Sequence, residues 1–443
     1  MKLNEKKFFE LAKENGLESA DLSLNESGSL AVSIYHSEID SFTNNSSFEL
    51  VARGIYKGKM GSISVDNVNK ESPEFLVKQI KRAASIVESD DPVFIFKGSE
   101  KYHKKNVSKN TDFTENIQEK VGILLEIEKK LLAFDKRINE VVSVGFHASN
   151  NVYKKTNSYG LKLSQKMSVY SYYAEVTAKQ GDEVRTGYDV FASFDENKFD
   201  IDKFVKNVAK DALSKLGSVQ CASKKYPVVL NQECVATLVS FLINSLNAED
   251  IQKHTSLLEG KLGQQVFSKK FTVIENPLEK NIFFKYFDDE GVATNKKYLF
   301  NKGVVSTYLY TLQTAAKDGV EPTGNGYGSG SKCSADVGYC VIKPGKKSEE
   351  ELISGIEEGV YITELQGLHS GLNPHSGNFS LQCAGFMIRN GKKVEPLALI
   401  TVAGNLINVF KNIKGVANNS KLVISNQMLA PSIFVGKLPI SGK

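Results

Sequence analysis

The chain has 443 residues, 41% hydrophobic and 24% charged, the profile of a globular protein rather than a disordered or fibrous one. Its formal net charge of +5 comes from scattered lysines such as Lys6-Lys7, Lys104-Lys105, Lys154-Lys155 and Lys269-Lys270, not from the basic stripe of a nucleic-acid binder. The longest apolar run, Leu397 to Ala403, is broken by Thr401 and falls far short of the ~20 residues of a membrane span. Neither nucleic acid nor membrane is an expected partner.

The five cysteines, Cys221, Cys234, Cys333, Cys340 and Cys383, form no C-x-x-C pair and suggest no disulfide framework. The stretch Met1 to Lys7 leads into an amphipathic helix and not an apolar signal core, so the expected compartment is the cytoplasm. So long a chain needs more than one core, and the expected division is 1–222 and 223–443.

Asn4 caps a first helix that carries Phe8, Phe9, Leu11 and Ala12 and stops near Gly16. Alternation begins at Ser29, with Leu30, Val32 and Ile34 on one face. Thr43-Asn44-Asn45 reads as a turn, and the runs Phe48 to Ile55 and Gly61 to Val65 complete an antiparallel meander. Ser72-Pro73 opens a helix to about Val87. Asp112-Phe113-Thr114-Glu115 has capping-box form, and Ile117, Val121, Leu124, Leu125 and Leu131 or Leu132 follow a helical period. Strands are expected over Val141 to Val152 and Leu161 to Ala178, then a helix from about Ile201 to Leu216 that ends on Gly217. The order helix, strands, helix occurs twice, which hints at an internal repeat.

Tyr226 to Leu230 reads as a strand. Asn231 then caps a long helix near 231–247 bearing Val235, Leu238, Val239, Leu242, Ile243 and Leu246. Beyond residue 270 short strands alternate with Gly, Asn and Asp turns, interrupted by one helix near Glu349 to Glu358 that Ser348 and Glu351 start. The expected class is α+β, a mixed helix and strand N-terminal domain followed by a β-rich C-terminal domain.

Several polar groups are candidates for chemistry. His369 and His375 share a Gly-rich segment with Ser370 and Asn373, a pattern that suits a structural or peptide-contacting loop better than a metal site. Asp288-Asp289-Glu290 sets three acids at a turn, which can hold a hard cation, border a substrate groove, or be simply solvated. Gly324 to Gly330 lacks the Lys-Ser/Thr of a phosphate loop and suits a cover over a groove. Cys383 with His375 is a conceivable nucleophile pair, although Gln382 to Gly385 reads as a buried strand. Tyr170, Tyr172 and Tyr173 can line a peptide surface or, more ordinarily, pack on a sheet.

Three blocks carry a family resemblance: Phe287-Asp288-Asp289-Glu290-Gly291-Val292-Ala293-Thr294, the segment Gly367 to Leu381, and Gly385 through Arg389-Asn390-Gly391 to Leu406. With the strand and helix starting at Tyr226, they resemble the TldD/PmbA peptidase family over nearly the whole chain. The resemblance implies a barrel-like C-terminal domain and a role in peptide processing or degradation. Metal-bearing members carry H-E-x-x-x-H on the helix after the first strand of that domain, and a further Cys ligand near the C-terminus. There two imidazoles hold Zn²⁺ and the Glu is general base.

Here the motif positions read Ser240, Phe241 and Ser245, and the C-terminal stretch reads Asn426 to Ser432 without cysteine. The pattern resembles the PmbA (TldE) branch. It implies a chain with no catalytic residue of the zinc type and no metal or cofactor of its own. The zinc would lie in a TldD-type partner, the substrate would be an unfolded peptide, and the chain would form a homodimer when alone. Groove candidates are then His369, Ser370, Asn373, His375, Asp288, Asp289 and Glu290. Two alternatives remain: an independent peptidase built from the His369–His375 loop and the acids, or a non-enzymatic peptide-binding or regulatory module.

Overall fold

The computed structural model describes residues 3–89, 91–108, 116–328 and 332–443. The capping-box residues 112–115, and positions 329 and 330 of the Gly-rich segment, lie outside them. The N-terminal part is a six-stranded sheet with helices on one face. Its elements are α1 (Glu5–Glu14), β1 (Ser19–Tyr35), β2 (Glu38–Tyr56), β3 (Lys59–Val65) and α2 (Ser72–Ser85), then α3 (Ile117–Phe134), β4 (Ile138–Asn157), β5 (Lys162–Gln180), β6 (Glu183–Ser193) and α4 (Ile201–Leu213). The strand order is β3-β2-β1-β4-β5-β6, two meanders joined back to back through the antiparallel β1–β4 pair.

Alternation sorts the faces. Ala20, Leu22, Leu30, Val32 and Ile34 of β1 are buried toward the helices, in one cluster with α1 and α2 and another with α3 and α4. Odd-numbered β1 residues such as Asp21 and Ser23 therefore point to the opposite, polar face. In each meander the third strand carries a glycine where a helix crosses it. A Cβ on Gly61 would lie 2.0 Å from Ile80 O of α2, and one on Gly187 would lie 2.4 Å from Ala212 N of α4.

Several sequence-based readings need correction, among them strand β6, absent from the expected elements, and the single helix expected beyond residue 270, since Leu312–Asp318 and Leu406–Lys411 are helical as well. Thr43-Asn44-Asn45 is not a turn: β2 runs through it, and the chain reverses at His36 and Ser37, whose φ values are 50° and 62°. Residues 38–47 are exposed on both faces, so no apolar alternation marks them. Strand β1 begins at Ser19, ten residues before the visible alternation, because it hydrogen-bonds to β2 along its whole length. The helix expected near 231–247 is α5 (Gln232–Asn244), and Asn247 caps a separate short helix, Ala248–Gln252. The helix begun by the Ser348–Glu351 capping box ends at Ile353, because the chain enters a strand at Glu358.

In the second half, β7 (Lys224–Leu230) pairs in parallel with Glu358–Gln366 and antiparallel with Ile433–Ser441. Strands Asn378–Arg389 and Lys392–Asn405 complete the ring, which closes where Thr401 and Val402 meet Ser441 and Ile440. The result is a closed five-stranded barrel. Its interior residues share one core with α5 and with a second six-stranded sheet. Helix α5 starts where Asn231 Oδ1 accepts from Cys234 N at 2.9 Å, and it buries Val235, Leu238, Val239 and Leu242. Among the described residues no helix is long and apolar enough to cross a membrane.

The close strand–helix approaches make a direct prediction. Gly61→Ala and Gly187→Ala should each lower stability by about 1–3 kcal/mol, the usual cost of overpacking. Urea titration of each variant measures it.

Candidate functional site

The polar face of the N-terminal sheet is closed off by a segment of the second half. Tyr286 Oη donates to Ser164 O at 2.8 Å and accepts from Ser164 N at 3.0 Å, while Gln165 Nε2 donates to Phe284 O at 2.6 Å. Phe287 stacks on Tyr153, with centroids 5.4 Å apart and planes 16° from parallel. Tyr102 Oη donates to Gly291 O at 2.7 Å.

Between sheet and segment lies a cleft of about 610 Å³. Ser23, Arg53, Tyr153, Lys155 and Gln165 form one wall, and Phe283, Lys285, Asp289 and Gln427 belong to the other. Hydroxyls, amides and paired charges beside aromatic rings suit an extended polar chain more than a flat apolar ligand.

At the back of the cleft is a buried ionic group that sequence reading did not find. Asp21 is 0% exposed. Arg53 Nε donates to its Oδ1 at 2.9 Å and Nη2 to its Oδ2, and Lys155 Nζ lies 2.9 Å from Oδ2. Burial alone would raise the Asp21 carboxyl; the charges and hydrogen bonds of Arg53 and Lys155 outweigh it and hold the group at about 2. For Lys155 burial wins, and with the like charge of Arg53 it pulls the amine below its ordinary value despite Asp21.

The acidic turn is not solvated, as its composition first suggests. Asp288 is 0% and Glu290 7% exposed, and only Asp289 reaches the cleft wall. Asp288 accepts from the backbone N–H groups of Glu290, Val292 and Gly326, and Asp289 Oδ2 accepts from Gly328 N at 3.0 Å. The acids thus hold the backbone of the Gly-rich segment. Burial first, and then Glu290, push the Asp288 carboxyl up to about 7 against its backbone donors.

The other sequence candidates stand apart from this cleft. His369, Ser370, Asn373 and His375 are exposed and are not among its lining residues. Asn373 Oδ1 accepts from His375 N and Ser376 N, and His375 Nδ1 lies 2.7 Å from Thr255 O. Cys383 is a buried strand residue. Tyr172 is buried toward the helices, while Tyr170 and Tyr173 are half-buried.

On α5, Ser240 Oγ donates to Ala236 O at 2.9 Å and lies 3.1 Å from Asn426 Nδ2. Ser245 Oγ donates to Phe241 O at 3.1 Å. Gln427, next to Asn426, lines the cleft, so this polar contact neighbours the cleft through the chain.

Asp21→Asn should destabilise the protein by about 3–5 kcal/mol, because it leaves the buried Arg53 guanidinium uncompensated. The folded carboxyl titrates lower than the unfolded one, so this stabilisation is present above the ordinary aspartate value of 3.8 and is lost as pH falls toward about 2. Urea midpoints at neutral and acid pH compare the two proteins.

Comparison with known proteins bears on this geometry. Residues 223–442 match the PmbA/TldA metallopeptidase C-terminal domain, and residues 112–216 match the PmbA/TldA metallopeptidase central domain. The "Metalloprotease PmbA homolog" of Haemophilus influenzae is 25% identical over 98% of this chain and 94% of its own. The "Metalloprotease PmbA" of Escherichia coli O157:H7 is 24% identical over 96% and 93%. A crystal structure from Thermotoga maritima, described as a candidate modulator of a DNA gyrase, superposes with TM-score 0.89 at 28% identity over 99% of both chains. TldE from Thermococcus kodakarensis shares the fold with TM-score 0.89 at 22% identity, over 99% of this chain and 100% of its own. Two domain models that together span most of the chain, and relatives matched over nearly their full length, make this protein a member of the TldD/PmbA peptidase family.

Proposed function

We propose that this chain is a subunit of a TldD-type metalloprotease that carries no zinc itself and helps present an unfolded peptide to a metal-bearing homologue. The observation that carries the reading is the donor set at the motif positions. Zinc sites use imidazole, thiolate or carboxylate. Here the donors are the neutral hydroxyls of Ser240 and Ser245, both engaged with helix carbonyls. Asn426 adds an amide N–H turned toward Ser240, and an amide N–H has no lone pair to give a metal. Phe241 stands where a general base would be needed and cannot move a proton. These residues do not fit the metal, so no hydrolytic step is routed through one in this chain.

Two further features support a peptide-holding role. The cleft offers amides and hydroxyls that suit a polypeptide backbone. Residues 38–49 of β2 also lie beyond the reach of β3, which pairs only from Leu50 onward, so an extended segment can add there as a strand. The name TldE belongs to a structural relative; a two-subunit assembly, peptide maturation as its purpose and homodimer formation without the partner are proposals for this chain. A cytoplasmic setting accords with five cysteines that are all free.

The test is metal content together with cleavage of an unfolded peptide. The purified chain should hold no stoichiometric zinc and cleave nothing in a metal-dependent way alone. Adding a metal-bearing homologue should give chelator-sensitive cleavage. Stoichiometric zinc with chelator-sensitive cleavage by the chain alone would sink the reading.

A further inference from the structure

The cleft wall contains one arrangement that neither the family resemblance nor the subunit reading uses. Ser23 on β1 and Lys155 on β4 face each other directly across the strand pair, and Lys155 Nζ is 2.9 Å from Ser23 Oγ. Both line the 610 Å³ cleft. The Lys155 side chain is 2% exposed, so the amine is sealed from bulk water except where it meets the cleft.

We propose that Ser23 and Lys155 form a metal-independent acyl-transfer pair acting on an amide or ester carbonyl seated in the interdomain cleft. A serine needs an adjacent base, and a lysine serves as one only when its amine is held neutral by burial or by a neighbouring cation. Lys155 has both. Asp21 is already matched by Arg53, which grips its two oxygens, so Lys155 is the second cation on a single carboxylate. In its deprotonated form, which burial and Arg53 favour, the amine donates one N–H to Asp21 Oδ2 and offers its lone pair to the Ser23 hydroxyl. Asp21 thereby fixes the direction of that lone pair, as the third member of a triad does.

The charged and titratable groups facing Lys155 support this assignment. Burial is the largest influence and Arg53 on β2 adds to it, while Asp21 on β1 and Cys333 from the second half oppose them; the balance lowers the amine. Glu290, also from the second half, feels Lys155 but is itself pushed toward its neutral form, chiefly by burial. Tyr153, two residues before Lys155 on the same strand, lines the same cleft as Ser23, and burial raises its phenol well above the ordinary value. It can therefore donate to oxygen charge developing at the site.

The step balances without a redox partner. Ser23 Oγ bonds to the carbonyl carbon as its proton passes to Lys155 Nζ, and the carbonyl electron pair moves to oxygen. Collapse expels the amine or alcohol, which takes the proton back from Nζ and leaves an ester on Ser23. Water then adds to that ester and gives its proton to Nζ. Ser23 Oγ departs with that proton, releasing the acid.

The proposal is independent of the subunit reading, and a chelator separates the two. Full-length protein, stripped with EDTA and without any partner, is treated with an alkyl fluorophosphonate at mildly alkaline pH. The adduct is mapped by peptide mass spectrometry. The expected result is an adduct on Ser23, with Lys155→Met and Lys155→Arg each slowing its formation by about 100-fold or more. No Ser23 adduct, or one formed equally fast in folded Lys155→Met, overturns the proposal. If the lysine variants fail to fold, the wild-type amine decides the matter. Reductive methylation with labelled formaldehyde reads its titration by NMR, and a midpoint at or above the ordinary lysine value of about 10.4 refutes the pair.

Discussion

A carboxylate taken wholly out of water must be matched by positive charge, and in this protein the matching fixes three strands to one another. Asp21 of β1 is held by Arg53 of β2 and by Lys155 of β4. A slip of one residue in either pairing would turn the partner to the apolar face and leave the charge alone. The same parity that brings these groups together sends Ala20, Leu22 and Ala52 toward α1 and α2. One ionic contact therefore locks the register that gives the sheet a helix-covered face and a face free to form a cleft.

The second constraint is how that polar face is closed. The two meanders are arranged alike, but their outer edges are treated differently. Strand β5 extends past β6, and its unpaired stretch is occupied by Tyr286, Gln165–Phe284 and Ser108 contacts. The corresponding stretch of β2, residues 38–47, is open to solvent. A bare sheet edge of this length is a liability unless something adds to it. The asymmetry therefore marks one end of the sheet as built into the molecule and the other as available.

The fold was legible wherever local chemistry decides it. Asn4, Asn231 and the Ser348–Glu351 pair cap helices as their residue types demand, and alternation marked the first meander and two strands of the second, but not β6. Legibility failed where local chemistry is silent. The β1–β2 reversal uses His36 and Ser37 at positive φ, without the Asn-Gly signal of such turns, and the polar 38–47 stretch carries no apolar rhythm. The ionic group was invisible for another reason. Asp21 and Arg53 are 32 residues apart and Ser23 and Lys155 are 132 apart, so each reads singly as an outward polar residue of a strand. The acids at 288–290 read as a solvated turn because nothing local tells that Gly326 and Gly328 will place their N–H groups on them.

The family scaffold constrains what replacement at the motif positions can look like. Helix α5 and the stretch before Met428 approach each other in any case, because both pack into the barrel-side core. Removing charged ligands from such a junction without filling it would leave polar atoms unpaired, at about 1–3 kcal/mol each. Ser240 with Asn426, and Ser245 with the Phe241 carbonyl, leave none of these side chains without a partner. The side chains of this junction are therefore held by hydrogen bonds within the protein. The ionic lock of Asp21, Arg53 and Lys155 in turn sets the wall of the cleft that this junction borders.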